Sequence, residues 1–185
     1  MDKKTLRTDI RHLKAACSPE QRARLSLEVT DRLQQEPHWQ QARTVLLYHS
    51  LPDEVSTHDL IRNAASAGKR VLLPVVVGND LELREYQGEG CMKEGAFHIQ
   101  EPTGSAVTDF SAIDLAVIPG VAFTPDGRRL GRGRGYYDRL LARLTSHAFY
   151  ARVPYLIGIC WPFQLVEDIP TEAHDIPMDC IITGR

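Results

Sequence analysis

Residues 44–77 read TVLLYHSLPDEVSTHDLIRNAASAGKRVLLPVVV, and this stretch decides the fold. The run TVLLYH at 44–49 is continuously apolar, rich in strand formers and short, which predicts a buried strand. SLPDEV follows as a loop. Thr57 stands where a helix N-cap belongs, and Leu60, Ile61 and Ala64 share one helical face through about Ala67. Gly68 then supplies the left-handed residue that closes a helix. RVLLPVVV at 70–77 reads as a second buried strand. Strand, helix, strand in this order is the βαβ unit of a parallel sheet with helices on its faces.

Working outward, DLAVIP at 114–119, YLIGIC at 155–160 and DCIIT at 179–183 supply three further strands. A helix from about Tyr136 to Ser146, with Tyr137, Leu140, Leu141 and Leu144 on one side, fills the crossover between the first two of these. Leu81 to Tyr86 alternates and reads as an antiparallel edge strand, and residues 95–109 as an irregular surface loop. Near the start, Leu6, Ile10, Leu13 and Cys17 define one face of a first helix that ends near Cys17. Ser18 and Pro19 open a second helix reaching about Gln35, which Pro37 stops. The expectation is a single domain over residues 1–185: a three-layer α/β sandwich, its sheet mostly parallel, with helices on both faces. No internal repeat, low-complexity tract or linker interrupts it.

Composition narrows the function classes. Of 185 residues, 43% are hydrophobic and 25% charged, as in ordinary globular domains, which excludes disordered, collagenous and coiled-coil chains. Lys plus Arg number 22 against 24 Asp plus Glu, a formal net charge of −2, so the chain is no dedicated duplex-DNA binder and any basic site is local. The four cysteines, Cys17, Cys91, Cys160 and Cys180, form no C-x-x-C pair, which argues against structural zinc. The charged start MDKKTLRTDIRHLKAAC lacks the apolar core of a signal peptide, and no later run approaches a membrane span. These features place the chain in the cytoplasm with its thiols reduced.

The chemistry concentrates after the third strand, in GVAFTPDGRRLGRGRGYYDRLLARL. Between Asp126 and Arg139 this segment holds five arginines and two aspartates, a local excess of positive charge in an acidic chain. Gly127, Gly131, Gly133 and Gly135 remove side chains where the loop turns or approaches a ligand, and the loop runs into a helix whose first N–H groups are free. Free N–H groups and the helix dipole both favour an anion, so phosphate is the natural guest, with Arg129, Arg132 and Arg134 as added donors. The segment matches neither the P-loop nor the dinucleotide-binding fingerprint.

RLGRGRGYYDRLL at 129–141, preceded by DLAVIPGVAF and DG, resembles the 5-formyltetrahydrofolate cyclo-ligase family, also called methenyltetrahydrofolate synthetases. KKTLR at 3–7, SPEQR, YHSLPDEVST at 48–57, GKRVLLP at 68–74, Glu101-Pro102 and HDIPMDCIIT at 174–183 fall in the family's order. The resemblance implies a magnesium- and ATP-dependent ring closure: 5-formyltetrahydrofolate becomes 5,10-methenyltetrahydrofolate through phosphorylation of the formyl oxygen and attack by N10. It further implies that Lys3, Lys4, Thr5, Leu6 and Arg7 contact the nucleotide, together with Arg129, Leu130, Gly131, Arg132, Gly133, Arg134, Gly135, Tyr136 and Tyr137. Arg134, Arg132 and Tyr137 are the implied catalytic residues. The folate falls to His49, Glu54 and the segment Arg132, Gly133, Arg134, Gly135 and Tyr136, with Phe123 a further aromatic candidate.

Asp138 resembles the family's metal-binding aspartate, and Asp175 is the choice for a second ligand, with Asp179 its competitor. His174 is read as structural, and Trp161 and Phe163 as core. Thr124 departs from the family, many of whose members carry an aspartate there. The expected partners are the two substrates alone, with no nucleic acid and no membrane, for a monomer. Two other readings remain open at the level of residues: a sugar-phosphate isomerase or CoA-transferase-like enzyme, and an RNA-binding module using the RGRGYY segment.

Overall fold

The computed structural model describes residues 2–146, 152–172 and 175–184. Helices α1 (Lys3–Ala16), α2 (Pro19–Gln35) and α3 (Pro37–Gln41) precede strand β1 (Thr44–Leu46), and α4 (His58–Ser66) leads to β2 (Arg70–Val77). The chain continues through β3 (Asp80–Glu85), β4 (Met92–Glu94), β5 (Gln100–Pro102), β6 (Ala106–Val107) and β7 (Leu115–Ile118). It then runs through β8 (Ala122–Phe123), β9 (Arg129–Leu130), α5 (Tyr136–Leu144), β10 (Tyr155–Cys160) and β11 (Cys180–Thr183).

The main sheet has the order β11-β10-β7-β1-β2-β3-β6. Its five strands from β11 to β2 are parallel, and β3 and β6 add antiparallel pairings at one side. One face of the sheet packs against α2, α3 and α4 through Val29, Leu33, Trp39, Leu60 and Ile61. The other packs against α5 through Leu140, Leu141 and Leu144, joined by Phe123 of β8. The three-layer architecture, helices on both faces of a mostly parallel sheet, is as expected. From β1 the chain steps one way to β2, whereas β7, β10 and β11 step the other way. A crevice therefore opens at the carboxyl ends of β1 and β7, where open α/β sheets bind ligands.

Several expectations are corrected. Strand β1 ends at Leu46 rather than residue 49, and Tyr48 and His49 beyond it line the crevice. Pro37 does not simply stop α2: a proline fits the first turn of a helix, and it opens α3, which seats Trp39 in the core. Thr57 occupies the N-cap of α4, but its hydroxyl does not cap; it donates to the Tyr48 carbonyl oxygen and accepts the Ser50 N–H at 3.2 Å, tying β1's exit to α4.

On α1 the buried face is Leu6, Ile10 and Lys14, while Leu13 is exposed, so one turn is rotated from the apolar pattern. Helix α5 ends at Leu144, short of Ser146. Residues 95–109 are not wholly irregular: they contribute β5 and β6, and β6, not β3, is the sheet's edge. The glycine-rich segment begins in a small hairpin, β8 paired with β9, which sequence alone left as loop.

Candidate active site

A cavity of about 380 Å³ occupies the crevice. One wall is the segment from β9 into α5, contributing Arg129, Gly131, Arg132, Gly133, Arg134, Gly135, Tyr136, Tyr137 and Asp138. Tyr48, His49, Leu51 and Glu54 come from the chain leaving β1, Pro119 and Gly120 from the end of β7, and Pro74, Val76 and Leu81 from β2 and β3. Phe97, Ile99 and Glu101 reach in from the β4–β5 hairpin. The cavity is thus polar and cationic at the glycine-rich end and apolar toward β2 and β3.

The glycine-rich wall follows from its backbone. Gly133 and Gly135 adopt φ of 93° and 73°, a region that residues with a Cβ rarely enter, and Gly135 caps α5 without a side chain. The first N–H groups of α5 are therefore left for a ligand. Arg7 of α1 braces the loop from behind: its Nε donates to the Gly131 carbonyl oxygen at 2.8 Å.

The charged side chains divide into tied and free. Arg129 is buried, donates to Pro119 O at 3.2 Å and to Asp138 Oδ1, and lies 5.9 Å from the Tyr137 ring centre. Burial pulls its guanidinium below the ordinary value, and the opposing charges of Asp138 and Asp175 hold it cationic. Arg132 donates to Asp53 at 2.7 Å and to Glu54 at 2.9 Å; against the cost of burial, these carboxylates hold it protonated above its ordinary range. Glu54 also accepts the Leu51 N–H at 3.0 Å, so both its oxygens are engaged.

Asp53 is fastened in turn by Lys14, whose Nζ donates to its carbonyl oxygen at 2.5 Å and sits 5.6 Å from the Trp161 ring centre. Arg134, by contrast, has no carboxylate partner among the described residues and rests over the Phe97 ring at 4.5 Å. His49 stacks on His58 with ring centres 4.0 Å apart, and burial and that neighbour lower its pKa to about 4, so its imidazole is neutral near pH 7. Burial pushes the Tyr137 phenol well above its ordinary value, which keeps it a hydroxyl donor and rules it out as a base.

The profile described as the 5-formyltetrahydrofolate cyclo-ligase family matches residues 1–184. The chain belongs to that family. A 5-formyltetrahydrofolate cyclo-ligase of Haemophilus influenzae is 33% identical, covering 97% of this chain and 96% of the relative. One of Escherichia coli K12 is 35% identical, over 94% and 96% respectively. The solved structure of Aquifex aeolicus 5,10-methenyltetrahydrofolate synthetase superposes with a TM-score of 0.85 at 36% identity, covering 99% of this chain and 90% of that one.

The structure gathers many of the residues that the resemblance singled out. His49, Glu54, Arg129, Asp138 and the run from Gly131 to Tyr137 share the one cavity. From the amino-terminal segment, Arg7 reaches the loop, and Lys3 pairs with Asp175 at 3.2 Å and Glu172 at 3.0 Å. Lys4 and Thr5 are exposed and give their backbone N–H groups to Asp2, the α1 N-cap. Leu6 and Leu130 are core: they pack with Ile10, Val121, Ala122 and Ile169, so only their backbones are available to a ligand. Phe123 is fully buried beneath Gly120 and Gly158 and offers no face to a ligand.

Of the candidate metal ligands, Asp138 pairs with Arg129 and lines the cavity, whereas Asp175, whose charge acts on the same guanidinium, binds Lys3 and is not among the lining residues. Asp179 precedes β11 and accepts the Leu156 N–H at 2.7 Å, at the amino ends of the strands and opposite to the cavity. Among the described residues no three His, Cys, Asp or Glu side chains gather as a cage. Magnesium bound with a nucleotide needs only one or two carboxylates, and Asp138 fits: half-exposed at the cavity rim, it uses Oδ1 on Arg129 and leaves Oδ2 without a side-chain partner among the described residues. Thr124 is buried and accepts the Arg128 N–H at 3.0 Å, closing the β8–β9 turn away from the cavity. Trp161 is core as expected, with Phe163 partly buried against it. His174 lies outside the described residues.

Sequence reasoning missed Phe97, Ile99, Asp53 and Lys14, and it gave Glu101 no role beyond the Glu-Pro motif. Residues 95–109 carry no periodicity that separates a cavity-facing side chain from a solvated one. No helix among the described residues is long and apolar enough to cross a membrane.

Proposed function

We propose that this enzyme, a single functional unit over the whole chain, converts 5-formyltetrahydrofolate to 5,10-methenyltetrahydrofolate while ATP becomes ADP and phosphate. The observation that carries the reading is the division of the cavity in a member of this family: guanidinium groups and helix N–H groups at one end, an apolar chamber at the other. The first suits a triphosphate, the second a folate ring system.

In this reading the formyl oxygen attacks the γ-phosphorus and ADP leaves. N10 then adds to the activated carbon, loses its proton, and inorganic phosphate departs with the former formyl oxygen. No covalent nucleophile is required of the protein, so its contribution is alignment and neutralisation of charge spreading over the phosphoryl oxygens. Arg134, a cavity guanidinium with no carboxylate partner among the described residues, is the group available to those oxygens. Arg132 and Glu54 act as a pair at the boundary of the two chambers, held by Asp53. Tyr137 donates a hydrogen bond, and neutral His49 contacts the folate without titrating near pH 7.

The backbone from Arg129 to Tyr137 and the Lys3–Arg7 segment cradle the nucleotide. Magnesium, held by Asp138 and Asp175 with phosphate oxygens, would neutralise the charge on the triphosphate. The test mixes purified protein, 5-formyltetrahydrofolate and Mg-ATP and follows the ultraviolet absorbance of the methenyl product. Product that requires both ATP and magnesium supports the reading; folded protein that makes none overturns it.

A further inference from the structure

Strand β2 carries a structural anomaly that leads to an unassigned residue. Arg70 N–H donates to Arg43 O and Leu72 O accepts from Leu47, so residues 70, 72, 74 and 76 turn their backbone groups toward β1. β1 pairs with β2 only as far as Leu72, and past that point the β1-facing edge of β2 borders the cavity. Pro74 has no N–H to leave unpaired there, as a proline inside a sheet requires. Val76 does, and its N–H donates to Glu101 Oε1 at 3.0 Å.

Glu101 is 4% exposed, and it belongs to the β4–β5 hairpin, which is separate from the main sheet. The hairpin tip runs from Gly95 to Ile99, closed by Gly95 N–H to Ile99 O at 2.9 Å. At the tip Phe97 and His98 both adopt left-handed backbone, at φ of 59° and 57°, a conformation costly for residues with a Cβ. Phe97 thereby lines the cavity, its ring facing Arg134 and lying edge-to-face with Tyr136, ring centres 6.4 Å apart. The second oxygen of Glu101 fills the space beside Gly95, where a Cβ would lie 2.0 Å from Oε2. One carboxylate thus pins the hairpin to the sheet and packs beneath its turn.

We propose that Glu101 is a positioning residue: its bond to Val76 latches the 92–102 hairpin over the apolar chamber and so sets affinity for the ligand held there. It acts on binding at that end, not on phosphoryl transfer at the glycine-rich end. The identity of the ligand as folate rests on the function proposed above.

Three variants of the full chain test it. Glu101→Gln keeps an acceptor for the Val76 N–H, Glu101→Leu removes it at similar volume, and Gly95→Ala drives the hairpin turn against an untouched Glu101. Loss of a buried acceptor predicts a roughly tenfold or greater rise in KM for 5-formyltetrahydrofolate in Glu101→Leu and Gly95→Ala. In both, kcat and the KM for ATP stay within about twofold, and Glu101→Gln restores the folate KM. A Glu101→Leu or Gly95→Ala enzyme that keeps the wild-type folate KM, or loses kcat instead, overturns the latch.

Amide hydrogen exchange of residues 92–102 without ligand reads the latch independently of turnover. It should be about tenfold faster in Glu101→Leu and unchanged in Glu101→Gln. Equal exchange in all three proteins refutes the proposal. A wild-type protein that fails to turn over folate overturns the function instead, and the exchange comparison still decides the latch.

Discussion

Replacing Asp138 by Asn separates two roles that meet in one carboxylate. Its Oδ1 accepts from Arg129, whose side chain is only 5% exposed, while Asp138 itself is 42% exposed. Removing one partner of a fully buried ion pair costs about 3–5 kcal/mol, because the other charge is left uncompensated. Here the cost is smaller for three reasons. The lost charge is half solvated, the Asn carbonyl still accepts the hydrogen bond, and Asp175 and the Pro119 carbonyl remain near the guanidinium.

About 1–2 kcal/mol is expected, which at roughly 2–4 °C per kcal/mol for a chain of this size lowers Tm by about 2–8 °C. Thermal unfolding of the ligand-free protein measures it. The second role, the magnesium ligand proposed above, is read by activity: if Asp138 holds the ion, kcat/KM should fall at least about 100-fold, with more magnesium needed for half-maximal rate. A Tm within 1 °C of wild type, outside the roughly 2–8 °C range above, would refute the ion-pair reasoning. A lowered Tm with unchanged magnesium dependence would refute the metal role and leave Asp138 as Arg129's partner alone.

Gly127→Ala should be among the most damaging small substitutions: φ is 92° there and an added Cβ would lie 2.2 Å from the Met178 carbonyl oxygen. A cost of about 3 kcal/mol, or roughly 6–12 °C in Tm, is expected, and a variant melting like wild type would contradict the close packing of the hairpin turn on Met178. His49 gives a pH prediction. Its folded pKa of about 4 lies below the ordinary 6.5, so between those values the unfolded chain binds more protons and stability falls as pH drops from 6.5 toward 4. Allowing for partial exposure, the loss is about 1–2 kcal/mol, and His49→Gln should flatten the wild-type Tm-against-pH curve in that window; parallel curves would sink the assignment.

Local sequence determined the longer helices and the parallel strands, because each depends on neighbours a few residues away. The apolar period of α4, the Ser18-Pro19 start of α2 and the runs 70–77 and 155–160 all specify their elements without reference to the rest of the chain. The glycine and arginine spacing of 129–137 likewise raised the expectation of an anion loop, since glycine backbone freedom and guanidinium charge belong to the residues themselves.

What needed the tertiary structure is everything that depends on which distant groups meet. Five arginines between 126 and 139 look alike in sequence, yet Arg129 is buried on Asp138, Arg132 is held by Asp53 and Glu54, and Arg134 has no carboxylate partner among the described residues and lies over Phe97. The position of Asp179 at the amino ends of the strands, away from the cavity, came from its bond to Leu156 N–H, and the burial of Lys14 in place of Leu13 from a carbonyl oxygen 39 residues away. The role of Glu101 arises only because β1 ends before β2 does, leaving one backbone N–H that a separate hairpin must satisfy. Patterns of a few residues fix conformation; burial and charge pairing are properties of the assembled chain.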